Sequence, residues 1–397
     1  MTDTNAILTG IRVLDFGRYI AGPYCAALLA DLGADVIRIE RLEGGEDRWI
    51  SPLEPQGSGA LYVAMNRNKR GMTLDPASSE GREIVKKLVA TADIVIANLP
   101  PDVLKTLGLD LASLQAIKPD IILSTTTAFG AGGPWSHKHG FDGIGQAMCG
   151  SAYLTGTPEQ PLRAAVPWVD FGTATMSAFG TLAALMSRGK TGRGQKVETA
   201  LLHTAVAFNN AMLVEQAVVA PNRQATVNTG FISGPSDLYR TRDGWVMVAC
   251  VGNPMFRRFA RLIGEEAWLS DPAFLDDAAR GEQGAVLSAR VTRWTETLAT
   301  AEILEALEKA HIPAAPLFSP QQALDDAHIR ATGMIEPVEY PGLPHATPLV
   351  LTPFDLSEAP KPTPRRAPLL GEHTDAILGE IGYDLSAIQG LRDRHVV

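Results

Sequence analysis

The chain has 397 residues, 45% of them apolar and 20% charged. That length exceeds what one hydrophobic core supports, so two domains are expected. Thirty-five Lys and Arg against 44 Asp and Glu leave a formal charge of −9, which argues against nucleic-acid tracking, since that calls for a basic stripe. Cys25, Cys149 and Cys250 are far apart and form no CxxC pair, so neither a disulfide framework nor a structural zinc site is expected. The first residues, MTDTNAILTGIRVLDF, lack a basic segment followed by an apolar one, so no secretory leader is expected. The longest low-charge stretch, Phe171 to Ser187, is interrupted by Gly, Ser and Thr. It falls short of the roughly 18–20 apolar residues of a membrane span and is read as a buried helix. A soluble, cytoplasmic protein is the expectation.

In chain order, Ile11–Phe16, Asp35–Glu40, Asp93–Asn98 and Ile121–Thr125 are short β-branched runs bounded by Gly, Asp or Asn. Between them Pro23–Leu32, Ser79–Thr91 and Leu111–Ile117 have helical character. Strands alternating with helices predict βαβ units and an open parallel sheet. Ser79–Thr91 reads as capped, with Ser79 at its start, acids early and lysines later. Val166–Asp170 reads as a short strand-like run closed by its acid. Ala220–Asp237, rich in Asn, Thr, Gly and Pro, reads as a linker or mobile loop. Beyond it the spacing predicts a strand at Gly244–Val251 and helices at Met255–Ile263, Leu287–Leu298 and Ala301–Ala310. Nine prolines between Pro337 and Pro368 predict an extended surface strap, followed by short helices at Thr374–Ile381 and Leu385–Asp393. The expected organisation is a large α/β domain over 1–220, a linker and small domain over 221–328, and a strap and tail over 329–397.

The first strand–turn–helix reads Phe16-Gly17-Arg18-Tyr19-Ile20-Ala21-Gly22-Pro23. It is neither GxGxxG nor GxxxxGK[ST], so the dinucleotide and P-loop fingerprints are missing where they would stand. A plain turn and an anion-facing helix start both fit it. Arg38, Arg41 and the run Arg67-Asn68-Lys69-Arg70 concentrate positive charge at strand ends, suited either to phosphates or to solvent. His137 and His139 have no acidic or Cys companion nearby, a weak metal signal; no metal site is expected. Asp170 precedes a small-residue apolar stretch. It reads either as an N-cap or as a desolvated carboxylate able to act as a nucleophile.

The segments Leu8–Trp49, Asn66–Asp75, Lys190–Leu202 and Arg366–Val397, in this order, resemble signature segments of the class III CoA-transferase family, the formyl-CoA and carnitine CoA-transferase group. The resemblance spans about Leu8 to Val397. It implies an open Rossmann-like large domain with a smaller α+β domain, in chains threaded as an interlocked ring-like homodimer. It implies CoA transfer from an acyl-CoA to a free carboxylic acid by ping-pong chemistry, with Asp170 forming a covalent aspartyl intermediate. The CoA thioester is then a substrate, with no cofactor held permanently and no nucleic-acid or membrane partner. By motif the CoA-contacting positions fall on Ile20, Ala21, Arg41, Leu74, Asp75, Asn98, Leu99, Pro100, Thr106, His139, Gly140, Phe141 and Asp142, and a substrate loop on Gly230 and Gly234. Ile20 replaces a Gln of formyl-CoA transferases, and Gly230–Gly234 replaces their run of four glycines, so formyl-CoA/oxalate exchange is set aside. Thr106, beside Lys105, stands where many relatives carry an Arg. The alternative within the fold is an acyl-CoA racemase or epimerase. Its proton-abstracting His lies in a Gly-His-Asp segment that here reads Gly140-Phe141-Asp142, and phenylalanine cannot exchange a proton. A non-catalytic CoA-binding subunit is the third reading.

Overall fold

A computed structural model describes residues 6–53, 57–359 and 362–397. The first five residues of the N-terminal segment and Pro360 of the Pro-rich segment lie outside the described residues. The chain divides into two compact units. One comprises residues 1–149, 164–213 and 330–397, the other 150–163 and 214–329.

The first unit is built on six parallel strands: β1 (Arg12–Asp15), β2 (Asp35–Glu40), β3 (Arg70–Thr73), β4 (Ile94–Ala97), β5 (Ile122–Thr127) and β6 (Lys196–Ala200). Their order is β3-β2-β1-β4-β5-β6, the Rossmann-like arrangement that reverses direction between β1 and β4 and leaves a ligand crevice at the carboxyl ends there. In chain order the helices are α1 (Ala21–Ala30), α2 (Ala60–Met65), α3 (Ser79–Thr91), α4 (Pro101–Thr106), α5 (Leu111–Ile117) and α6 (Asp142–Met148). The short α7 (Ser151–Leu154) belongs to the second unit; α8 (Trp168–Thr191), α9 (Leu201–Phe208) and α10 (Asn210–Val218) follow. On one sheet face Leu14, Ile37, Val95 and Leu123 pack with Ile84 and Leu88 of α3; on the other Val13, Val36, Ile94 and Ile122 pack with α1 and α8. The four inner strands β2, β1, β4 and β5 thus carry apolar residues on both sides, as a covered parallel sheet requires, while the edge strand β6 is largely exposed.

Three local expectations are corrected. The cap of α3 is Ser78, one residue earlier, whose hydroxyl accepts from the Gly81 N–H at 3.0 Å. Val166–Asp170 forms no strand, because Pro167 takes the N-cap position and α8 starts at Trp168; short apolar runs do not distinguish strand from helix start. Nor is α8 buried all round. Gly172, Thr173, Ser177, Thr181 and Ala184 are buried, while Phe179 and Met186 are 67% and 70% exposed on this chain.

In the second unit β7 (Ser236–Arg240), β8 (Trp245–Ala249) and β9 (Ala314–Pro316) form an antiparallel sheet in that order. The helices α11 (Asn253–Leu262), α12 (Asp277–Glu282), α13 (Gly284–Thr295) and α14 (Thr300–Lys309) lie along this stretch. Tyr239, Val246, Val248, Phe259, Leu287, Val291 and Ile303 form its core. The stretch 220–235 has no regular element.

After α15 (Pro320–Asp325) and α16 (Ala327–Ala331), the Pro-rich segment folds back on itself as a two-stranded ribbon, β10 (Ile335–Val338) with β11 (Thr347–Val350). Pro337 faces Pro348, which is tolerated because a two-stranded ribbon has only edge strands. The chain then runs along the sheet edge. The Arg365 N–H donates to Asn68 Oδ1 at 2.7 Å and the His373 N–H to the Gly71 carbonyl at 2.8 Å. This covers β3, which would otherwise present unpaired backbone. The last helices, α17 (Thr374–Glu380) and α18 (Leu385–Asp393), complete the core through Ile377, Leu378, Ile388 and Leu391.

The cations expected to face phosphate or solvent are mostly buried. Lys69 is enclosed and its ammonium donates to Asp15 (2.8 Å), the Pro23 carbonyl (2.7 Å) and Asn66 (2.8 Å). Arg38 donates to the Gly17 carbonyl and to Asp47. Arg67 pairs with Asp31 at 2.6 Å, and Arg48 with Glu40 at 2.7 Å. Arg70, partly exposed, joins Asp35 and Glu380. Asp15 and Asp31 lie 54 and 36 residues from Lys69 and Arg67, and burial in these pairs removes Arg38, Arg67 and Lys69 from both phosphate and solvent. Removing one member of a buried pair strands the other charge in a poorly solvating interior, a loss of about 3–5 kcal/mol. Lys69→Ala is therefore expected to lower unfolding stability in urea by that amount, and an unchanged midpoint would refute the coupling.

Candidate active site

The turn between β1 and α1 stands at the point where the sheet reverses, and side chains from three strand ends lock it. Asp15 accepts from the Gly17 N–H at 2.8 Å while Arg38 holds the Gly17 carbonyl. Asn98, just past β4, accepts from the Arg18 N–H at 2.6 Å and donates to the Arg18 carbonyl at 2.8 Å. A Cβ on Gly17 would lie 2.8 Å from Pro23 Cδ, and one on Gly22 would lie 2.8 Å from Gly17 Cα. Only glycines allow this approach. Ile20 is the N-cap of α1 and lends no side-chain acceptor, and Ala21 is its first residue. The first N–H groups of a helix have no intrahelical acceptor, and they carry its positive pole.

Arg41 follows β2, half-exposed, and pairs with Glu46, which Arg18 also reaches at 3.3 Å. Leu74 is wholly buried in the core, so only its backbone is open to another role, and its N–H donates to the Glu40 carbonyl. The Asp75 N–H donates to the Val396 carbonyl. Leu99 packs on the core, Pro100 is the N-cap of α4, and Thr106, exposed at its last turn, donates to the Asp102 carbonyl. His139 is exposed and Gly140 half-buried. Phe141 is exposed and meets Tyr19 of the β1–α1 turn edge-on, with ring centroids 5.6 Å apart. Asp142 is buried at the first position of α6, a placement at odds with an open ligand contact. Gly230 and Gly234 lie in the second unit, where the Gly230 N–H donates to the Ser236 carbonyl.

Asp170 is the third residue of α8, inside its first turn, so it is not the N-cap. Phe171, its neighbour, packs edge-on against Tyr24 of α1 at 5.0 Å, and Val169 shares a buried cluster with Ala21. The start of α8 therefore sits beside the start of α1. No hydrogen bond to the Asp170 carboxylate is found among the described residues. Burial, and then the negative charge of Asp142, push its pKa up to about 7. By contrast, burial pushes the Cys25 and Cys250 thiols up to about 12, which leaves them unreactive. Among the described residues no three His, Cys, Asp or Glu side chains are grouped to hold a metal ion, and no helix is long and apolar enough to cross a membrane.

These features define a Rossmann-like α/β protein with a perturbed carboxylate beside its ligand crevice. A model of CoA-transferase family III matches residues 8–374, and the chain belongs to that family. It is 34% identical over 388 residues to a succinate–glutarate CoA-transferase of Agrobacterium fabrum, covering 94% of this chain and 95% of the relative. It is 32% identical over 392 residues to a succinyl-CoA–D-citramalate CoA-transferase of Chloroflexus aurantiacus, covering 97% of each. The crystal structure of a CaiB/BaiF family protein from Brucella suis superposes with a TM-score of 0.84 at 32% identity, covering 95% of this chain and 100% of that one. General CoA-transferase chemistry on a CoA thioester follows from this membership.

What set Asp170 apart in the sequence was its apolar setting; what raises its pKa further is Asp142, 28 residues upstream. The shift has a stability consequence. Folded Asp170 holds its proton up to about pH 7, against an unfolded value near 3.8. Its contribution to stability is therefore full below the unfolded value and is lost as pH rises through the folded one. Asp170→Asn, which never ionises, is expected to match the parent's thermal midpoint near pH 3.5 and exceed it by several degrees at pH 8. A constant difference across that range would contradict the raised pKa.

Proposed function

We propose that the protein exchanges CoA between two carboxylic acids through Asp170. The single observation that carries this reading is a half-buried carboxylate with no hydrogen-bonded partner among the described residues, at the start of α8 beside the β1–α1 turn. One Asp170 oxygen attacks the thioester carbonyl of the donor. The C–S bond breaks, leaving a mixed aspartyl–acyl anhydride and CoA thiolate. The thiolate then attacks the aspartyl carbonyl, the anhydride C–O bond breaks, and the donor acid departs from an aspartyl–CoA thioester. The acceptor carboxylate runs both steps in reverse. Every intermediate stays activated, so no ATP is consumed and no net proton is transferred. A carboxylate already stripped of solvent and unpaired needs less desolvation to attack. Backbone N–H groups at the start of α1, around Ile20 and Ala21, suit the developing oxyanion, and one such donor is typically worth about 2.7–4 kcal/mol.

In this reading CoA lies along the carboxyl ends of the strands. Arg41, and Arg18 with it, supplies charge to its phosphates once Glu46 is displaced. Asn98 acts through the turn it holds. Leu74, Asp75, Leu99, Pro100, Thr106, His139, Gly140 and Phe141 border the path. The two relatives' names share a succinyl or succinate partner, which makes succinyl-CoA the first donor to test and dicarboxylic acids the first acceptors. The exposed Phe179 and Met186 of α8 and Phe208 of α9 support the homodimer with interlocked chains, because a monomer rarely leaves such side chains to water on one helical layer.

Two outcomes are expected. Protein incubated with succinyl-CoA and hydroxylamine gains a hydroxamate at Asp170 by peptide mass spectrometry, and Asp170→Ala loses transfer; full transfer by Asp170→Ala would sink the mechanism. A threaded dimer stays dimeric in light scattering at any dilution that leaves the chains folded, whereas folded monomer appearing on dilution would exclude threading.

A further inference from the structure

We propose that Asp142 is the positioning residue for Asp170, capping from a neighbouring helix the helix that carries the attacking carboxylate. This rests on the reading of Asp170 as nucleophile. The N-cap of α8 is Pro167, which supplies no side-chain acceptor, so the first N–H groups of the helix need partners from elsewhere. Asp142 supplies one. Its Oδ2 accepts from the Val169 N–H at 2.7 Å and from the N–H of Asp170 itself at 3.2 Å. The other oxygen accepts from the Gln146 amide, one turn along α6. Gln146, itself buried, accepts in turn from the Ala164 N–H at 2.8 Å. One side chain thus fixes the first turn of α8, and its neighbour fixes the segment leading into it.

Asp142 is only 6% exposed and both its oxygens are occupied. Those facts disfavour the CoA contact that the family resemblance implied for it. They favour a fixed negative cap, and charged acceptors bind backbone N–H groups more strongly than neutral ones. The same placement sets a carboxylate beside the nucleophile, which keeps the Asp170 proton affinity high until substrate arrives. Of the other helices packed at the start of α8, α1 brings Tyr24, against Phe171, and α9 brings His203, close to Gly130. The charge that bears on Asp170 is that of Asp142.

The test compares the full-length parent with Asp142→Asn and Asp142→Ala. Binding of CoA alone is followed by calorimetry, Asp170 hydroxamate from succinyl-CoA and hydroxylamine by mass spectrometry, and Asp170 modification by a water-soluble carbodiimide against pH. Carbodiimide reports the protonated carboxyl without any substrate. Asp142→Asn keeps an acceptor but not the charge, so hydroxamate formation is expected to survive while the carbodiimide midpoint falls by roughly one pH unit. Asp142→Ala loses both, so hydroxamate formation falls by roughly 10–100-fold, with CoA affinity unchanged within about threefold. Carbodiimide midpoints identical in all three proteins would overturn the proposal. So would an Asp142→Ala that loses CoA affinity yet labels Asp170 at the parent's rate. If Asp142→Ala does not fold, the Asn profile decides. Parent protein that forms no hydroxamate counts against the nucleophile reading, while the carbodiimide profile still decides whether Asp142 governs Asp170.

Discussion

The buried contact of Lys69 with Asp15 and the Pro23 carbonyl is the constraint on which the rest depends. It ties the segment before β3, the end of β1 and the start of α1 to one point. Asp15 and Arg38 then hold the two backbone groups of Gly17 from opposite sides, and Asn98 does the same for Arg18. A turn with no glycine-rich fingerprint is made rigid by side chains instead of by a backbone motif. Desolvating these charges is costly, and their partners recover that cost only in one arrangement, so the charges specify the turn more than they stabilise the fold.

The candidate site brings together two helix starts that lack a side-chain cap of their own. α1 begins without a side-chain cap at Ile20, α8 begins at a proline, and the two lie side by side through Ala21 and Val169. Asp170 stands in the first turn of α8 with no hydrogen bond to its carboxylate among the described residues, and Asp142 sets a negative charge beside it. Those two carboxylates differ in what surrounds them: one is saturated with donors, the other has none.

Much of the fold was legible because its signals are local. Asp35–Glu40 and Ser79–Thr91 begin and end where their residue patterns predict, since turn residues and charge placement mark both ends. Asp170 was legible as a carboxylate in an apolar setting. What could not be read was whatever depends on distant partners. Lys69 and Arg67 read as surface or phosphate-facing because Asp15 and Asp31 lie 54 and 36 residues away. The start of α8 read as strand because the side chain capping it belongs to α6. Asp142 was assigned to CoA by motif, and the partners of its carboxylate, the Val169 and Asp170 N–H groups and Gln146, were not legible because they lie on other turns and another helix.

The route of the tail has a consequence for biosynthesis. Ile388, Leu391 and Val396 share a core with Leu14 and Ile37, and the chain from Arg365 to His373 seals the sheet edge opened by β3. A ribosome that has made the first 200 residues has delivered all six strands of this sheet, yet the last stretch of its cover is still unmade. The nascent unit must therefore wait, with an apolar face and a strand edge open, until the second unit and the tail have been translated. The order in which the chain is written thus leaves the closing of this core and of the β3 edge to the end.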